Sequence, residues 1–207
     1  MRLLCISLAC CVITSNSSAD LLVNGGFEYP GFTSGVDYYN PTSAGTGLSF
    51  GWQTSEPTGI FEIWSGSGYL GAGPAAWEGN SFLELNYQSN RSVWQRFESA
   101  GGVQLAFQFA HRGRNGIDAL RFDLIEVATG AAIYSMEAVD GVQQWSVHSG
   151  IVSLSQSGLY EARFTALSTA GPDSSFGNFL DGISMGVVPA PPAMALFLVG
   201  LGRRRSR

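Results

Sequence analysis

The sequence predicts an all-β domain, an antiparallel β-sandwich, and three observations carry that prediction. Apolar residues recur with period two in segment after segment, and no stretch sustains helical spacing. Glycine-containing turn signals punctuate these segments at short intervals. Residues 20–187 also have the length of one domain with a real core.

In chain order, the first strand is expected at 21–24 and the next at 60–64. The intervening 31–51 segment, rich in Gly, Ser, Pro and Tyr, reads as a long loop, and 65–80 reads likewise. Trp52, following Gly51, is expected in the core near the first strand. Further strands are predicted at 81–86, 93–97, 103–109, 120–124, 132–137, 145–148, 160–166 and 179–185. Val103, Leu105, Phe107 and Phe109 share one face, with Gln104, Ala106 and Gln108 on the other. Leu120, Phe122 and Leu124 alternate with Arg121 and Asp123 in the same way, as do Tyr160, Ala162, Phe164 and Ala166 with Glu161, Arg163 and Thr165. Between them stand Gly101-Gly102, Asn115-Gly116, Thr129-Gly130, Asp140-Gly141 and Ser157-Gly158.

Composition narrows the chemistry. Cys5, Cys10 and Cys11 all fall within residues 1–19, which leaves the domain without a disulfide framework or a thiolate site. There is no lysine, and in residues 20–187 sixteen acids face six arginines, an excess of ten negative charges. That balance argues against nucleic acid and anionic lipid as partners. It suits a soluble surface protein, or one that takes up divalent cations.

Both ends of the chain read as addresses. Arg2, an apolar run over 3–13 and Ser17-Ser18-Ala19 form a signal peptide spanning 1–19, with cleavage expected after Ala19. At the other end, residues 188–207 combine a spacer, Val188-Pro189-Ala190-Pro191-Pro192, with an apolar segment and Arg203-Arg204-Arg205. A helix of that apolar segment reaches only about 16 Å, against a hydrocarbon core of about 30 Å. The tail is therefore a marginal anchor, suited to transient membrane association. It resembles the PEP-CTERM sorting signal, which implies an exosortase-type protease as partner. Val-Pro-Ala-Pro stands where that family usually has Val-Pro-Glu-Pro. An ordinary C-terminal strand is the alternative, but it explains neither the prolines nor the arginines.

Several phrases of the domain carry a second resemblance. They are Leu22-Val23-Asn24-Gly25-Gly26-Phe27-Glu28, Gly51-Trp52, Phe61-Glu62-Ile63-Trp64 and Glu78-Gly79-Asn80-Ser81-Phe82-Leu83-Glu84. Phe109-Ala110-His111-Arg112-Gly113-Arg114 and Gly177-Asn178-Phe179-Leu180-Asp181-Gly182 complete the set. Together they resemble secreted bacterial surface proteins whose jelly-roll domain is similar to galactose-binding-like and carbohydrate-binding modules. The resemblance covers most of residues 21–185. It implies an exported protein that contacts glycan. It also implies that Glu28 and Asp181, on the first and last strands, help to hold a structural calcium ion. Calcium takes six to eight oxygens, so Asn24, Asn178 or loop carbonyls would have to join them. The plainer alternative is that Asp181 caps a turn and Glu28 is merely solvated.

Arg112 and Arg114 flank a turn and offer planar forks that match carboxylates. Glu62, Glu84 and Asp118 are their candidate partners in a structural ion-pair network. The other reading is a polar groove in which both arginines meet the hydroxyls of a sugar or an acidic polysaccharide. His111 continues the apolar face of Phe109 and reads as a hydrogen-bonded packing residue. Trp64 and Trp77 are candidate sugar platforms, extended by Tyr38, Tyr39 and Tyr69, with core packing as the default. No nucleophile elbow, zinc-protease motif or phosphate loop is present. Glu62, Glu84 and Glu161 could form an acid/base pair of the glycosidase kind, but nothing in the sequence selects a pair. The sequence therefore points to a non-enzymatic envelope or extracellular-matrix protein that contacts polysaccharide. The alternatives are an adhesin acting through protein contacts and a glycan-processing enzyme. The enzyme would require two carboxylates about 5–10 Å apart in a cleft.

Overall fold

The structure, a computed structural model, describes residues 20–33, 35–66 and 73–189. The strands are β1 (Gly35–Tyr39), β2 (Gln53–Thr54), β3 (Phe61–Ser65), β4 (Ser81–Glu84), β5 (Ser92–Ser99), β6 (Val103–Arg112), β7 (Asp118–Glu126), β8 (Ala131–Asp140), β9 (Ser146–Leu154), β10 (Gly158–Ser168) and β11 (Phe179–Val187). One short helix, α1 (Gly47–Phe50), interrupts them. A six-stranded sheet in the order β1-β3-β4-β11-β6-β9 packs on a five-stranded sheet in the order β2-β5-β10-β7-β8. Every pairing is antiparallel. This is the predicted jelly-roll sandwich.

Period-two alternation produces the core directly. Leu105, Phe107 and Phe109 of β6 face Leu120, Phe122 and Leu124 of β7 and Ala162 and Phe164 of β10, all buried. Ring centroids stand 4.8 Å apart for Phe107 and Phe122 and 5.1 Å apart for Phe109 and Phe164. Such tilted and edge-on pairs add about 0.5–1.5 kcal/mol each beyond their buried area. Trp52 is buried as expected, 5.6 Å from Phe27, and its indole N–H donates to the Asn24 carbonyl at 3.0 Å.

Three segments depart from the prediction. Residues 21–24 are not a strand, because Asn24 and Phe27 take φ of 53° and 55° and break the extended run. The segment still docks on β11, through Leu21 N–H to the Met185 carbonyl at 2.7 Å and Ile183 N–H to the Gly25 carbonyl at 3.1 Å. A Cβ on Gly25 would stand 1.8 Å from the Ile183 carbonyl oxygen, so only glycine permits this approach. The 31–51 segment is not all loop. It contains β1, an edge strand that pairing with β3 imposes on a Gly/Tyr sequence of weak local signal, and also α1. Finally, the strand expected at 145–148 runs on as β9 to Leu154, paired along β6.

A bulge in β11 shapes the functional end. Asp181 lies opposite Ala110 and Ser184 opposite Gln108, so two residues face Phe109 alone. Gly182 takes φ of 56° there, and the Ile183 N–H leaves the ladder to bind Gly25. The expected leader over 1–19, Tyr69, and the sorting tail from residue 190 onward, including Pro191, Arg203, Arg204 and Arg205, lie outside the described residues. Of the tail, Val188 donates its N–H to the Gln104 carbonyl at 2.8 Å, and Pro189 follows.

Candidate functional site

Strand register writes a line of side chains across the outer face of the six-stranded sheet. Tyr38 of β1 lies opposite Glu62 of β3, Glu62 opposite Glu84 of β4, Glu84 opposite Phe179 of β11, and Phe179 opposite Arg112 of β6. Their neighbours Phe61, Ile63, Leu83 and Leu180 point into the core, so alternation sends this set outward. Outward does not mean exposed. Glu62 is 6% and Glu84 1% exposed, because the turn after β6 and the 174–178 loop close over them.

Arg114 is the centre of that cover. Its Nη1 donates to both carboxylate oxygens of Glu84, at 2.8 and 2.9 Å. Its guanidinium lies 4.8 Å from the Trp64 ring centre and 4.2 Å from that of Phe176. Glu84 also accepts the Gly177 N–H at 2.9 Å, and Glu62 accepts the Trp64 indole N–H at 3.1 Å. Asp118 fixes the surrounding loops by accepting the backbone N–H groups of Arg114, Ala170 and Asn178 at 2.8, 2.7 and 3.1 Å.

Two carboxyls directly opposite each other cannot both stay ionised cheaply. Burial, the facing Glu84 charge and the hydrogen bond between them push Glu62 up to about 8. Burial also raises Glu84, against the pull of Arg114 and the Gly177 N–H. The pair therefore shares one proton. We place it on Glu62, because the arginine and the backbone amide favour the ionised form of Glu84. Burial and the same two acids raise the Tyr38 phenol as well.

The structure places the sequence candidates unevenly. Arg114 and Glu84 meet in a partly buried ion pair, with Glu62 beside them. Arg112 was expected in the same network and makes no ion pair among the described residues. Its register partner is the aromatic Phe179, its Nε is buried without an acceptor, and burial lowers its pKa. Asp118 pairs with backbone amides instead of a guanidinium. Trp64 is packed against Phe82 and Phe179 and covered by Arg114, so it offers no open platform. Trp77 does, being 43% exposed, with its ring over the bare Gly182. Tyr39 packs on Phe50 and hydrogen-bonds Thr46, away from the surface line. Glu161 lies on the other sheet between Arg96 and Arg163.

Glu28 and Asp181 serve the same turn. Glu28 Oε1 accepts the N–H groups of Asn80 and Ser81 at 2.7 and 2.8 Å. Asp181 accepts those of Trp77, Glu78 and Gly182 at 2.8, 3.1 and 2.7 Å. Burial nevertheless pushes Asp181 up to about 7, outweighing those hydrogen bonds, and the nearby Glu78 charge adds to the rise.

Two site residues escaped sequence reasoning. Tyr87 stands 5.4 Å from Tyr38 by ring centroids, making a surface pair from β1 and the turn after β4. Phe176 backs Arg114 from the 169–178 loop. Neither sits in an alternating segment, so no periodicity marks them. A separate groove of about 670 Å³, lined by Leu48, Trp52, Gln53 and Arg96, lies beside β5 and contains no comparable acid–aromatic line.

No family model matches the chain, and no curated protein is significantly similar to it. Solved structures are. TmCBM61, solved in complex with beta-1,4-galactotriose, matches with a TM-score of 0.52 at 15% identity, covering 83% of this chain and 100% of that one. The CBM22-1 xylan-binding domain of Paenibacillus barcinonensis Xyn10C matches with a TM-score of 0.44 at 13% identity, covering 77% of this chain and 99% of that one. At such identities the first similarity speaks to fold alone: the chain folds as a carbohydrate-binding-module-like jelly-roll sandwich.

Proposed function

We propose that this is an exported, non-catalytic protein of the cell envelope or extracellular matrix that binds polysaccharide on the outer face of its six-stranded sheet. The observation that carries the reading is the Tyr38–Tyr87 pair, which lies on the surface at the end of the buried Glu62–Glu84 line. Tyr38 is 62% exposed and has Tyr87 at its side, a pair that suits the apolar face of a pyranose ring. The Tyr38 phenol offers a donor and an acceptor to hydroxyl groups there, while Glu62 and Glu84 lie buried beneath their cover. The β-1,4-galactotriose bound by TmCBM61 makes β-linked polysaccharides the first class to test. Glu62 and Glu84 stand opposite each other and are 6% and 1% exposed, whereas a glycosidase pair must flank the scissile bond in an open cleft. That burial favours binding over hydrolysis. The leader and the PEP-CTERM-like tail supply the route to the surface, with an exosortase-type protease as sorting partner.

The test is a polysaccharide array followed by titration of the best ligand. Tyr38→Ala should lose about tenfold or more in affinity, the scale of a contact that matters at an interface. Its melting should follow the parent, since an exposed side chain away from caps and cores contributes about 0.5 kcal/mol or less. No binding to any polysaccharide, or a variant that binds as the parent does, sinks the reading.

A calcium ion beside Asp181 belongs to the same proposal. A Cβ on Gly26 would meet Glu78 Oε1 at 3.1 Å and Asp181 Oδ1 at 3.8 Å, so both carboxyls converge on that glycine. Oxygen-only donors of this kind suit calcium. Asp181 and Glu78 would supply carboxylates, with Glu28 Oε1 holding the turn that presents them. Without a cation, the raised Asp181 holds a proton in the folded chain that the unfolded chain releases, so stability falls as pH rises toward about 7. Calcium reverses this, adding about 2.7 kcal/mol at a hundred times Kd. We expect a calcium-induced rise in Tm that is larger at alkaline than at acid pH and absent in Asp181→Asn. A midpoint indifferent to calcium and chelator excludes the site.

A further inference from the structure

We infer that His111, Asp140 and His148 form a binding site for a divalent first-row transition-metal ion, with Zn²⁺ the best match to the donor set. The fold brings them together at one flank of the sandwich. β9 and β8 are the edge strands of the two sheets, and β6 lies next to β9. His111 ends the inward row of β6, His148 lies opposite Phe109 on β9 and stacks on it at 5.2 Å, and Asp140 is the last residue of β8. Asp140 Oδ2 stands 2.8 Å from His111 Nδ1 and 2.7 Å from His148 Nε2. One donor atom from each residue lies within 4.8 Å of the other two.

The hydrogen-bond chain behind His111 decides what its ring presents. The Asn178 side-chain nitrogen donates to the Ser168 backbone carbonyl, which can only accept, at 3.1 Å and to Asn86 Oδ1 at 3.0 Å. Asn178 Oδ1 is thereby turned toward His111 Nε2, 3.1 Å away, and can only accept. The hydrogen of a neutral His111 ring therefore sits on Nε2, and its Nδ1 lone pair points at a carboxylate oxygen. Two acceptors so close require a cation between them: either a second proton, giving an imidazolium with no exposed surface, or a metal ion. The convergence of a second imidazole nitrogen, His148 Nε2, on the same oxygen favours the metal.

Two imidazole nitrogens and one carboxylate oxygen form a borderline donor set that suits zinc better than calcium or magnesium. Asn178 plays the part common around bound metals, a fixed acceptor that sets the ligand's tautomer. The side chains of His148 and Asp140 are 21% and 11% exposed, so an ion can enter from that flank and keep a water. Bound there, it would clip β6 and β9 of one sheet to β8 of the other.

The test uses the untagged full-length protein, stripped with chelator and titrated with Zn²⁺ in excess calcium, which occupies any oxygen-only site. We expect one equivalent of zinc to bind, a rise in Tm, and loss of both in His148→Ala and in Asp140→Asn. On loading, a two-bond nitrogen–proton spectrum should show His111 protonated at Nε2 and not at Nδ1. Absence of saturable zinc binding, parental binding by folded His148→Ala, or a His111 ring protonated on both nitrogens in the presence of zinc overturns the assignment. If neither variant folds, the His111 spectrum and the parent titration decide it.

Discussion

Arg114→Ala is expected to lose about 3–5 kcal/mol of stability, the scale for removing one partner of a desolvated ion pair. Glu84 is 1% exposed, and Arg114 supplies two of its hydrogen bonds at 2.8 and 2.9 Å. Without the guanidinium, Glu84 would keep only the Gly177 N–H and the protonated Glu62 as partners. The aromatic faces of Trp64 and Phe176 would lose their cover as well. Arg121→Ala serves as the control, because its side chain is 43% exposed and an ion pair of that kind is worth about 0–1 kcal/mol. Arg112→Ala should also be mild, since Arg112 makes no ion pair among the described residues. Urea denaturation of the three variants orders them. An Arg114→Ala protein that is as stable as the parent yet loses polysaccharide binding would assign that arginine to a binding groove.

Glu62→Gln is expected to stabilise the protein in alkaline solution. The folded chain raises this carboxyl to about 8, above the ordinary value of about 4.3. The folded state thus holds a proton that the unfolded state has released. Stability is greatest below the ordinary value and falls as pH climbs toward about 8. Glutamine keeps the acceptor for the Trp64 indole, can donate to Glu84, and never ionises. Each pKa unit corresponds to about 1.4 kcal/mol. The variant should therefore exceed the parent by more than about 1.4 kcal/mol above pH 8, where the penalty is complete, and match it near pH 4. A parent whose melting is flat over that interval would show that the pair does not share a proton.

The aromatic core was legible because its cause is local. Phe107, Phe109, Phe122 and Phe164 declare their inward direction through residues one place away, and the pleat converts that pattern into burial wherever the strands end up. The carboxylate line was legible only as a list of residue types. Tyr38, Glu62, Glu84, Phe179 and Arg112 come from five strands, and register alone aligns them. A shift of one residue in β4 would replace Glu84 by Leu83 on that face. The same dependence explains why Arg112 and Arg114, two residues apart, have opposite fates. One ends in a strand opposite Phe179, and the other reaches back over Glu84 from a turn.

By itself the sequence determined a β-sandwich, its core faces, and the acids and arginines that had to be reconciled within it, because alternation and composition act at short range. Only the tertiary structure decided which carboxyl shares its proton, which tryptophan stays open, and that His111, Asp140 and His148 converge. Those outcomes depend on distances between strands remote in sequence. Burial then multiplies every charge interaction that the register creates.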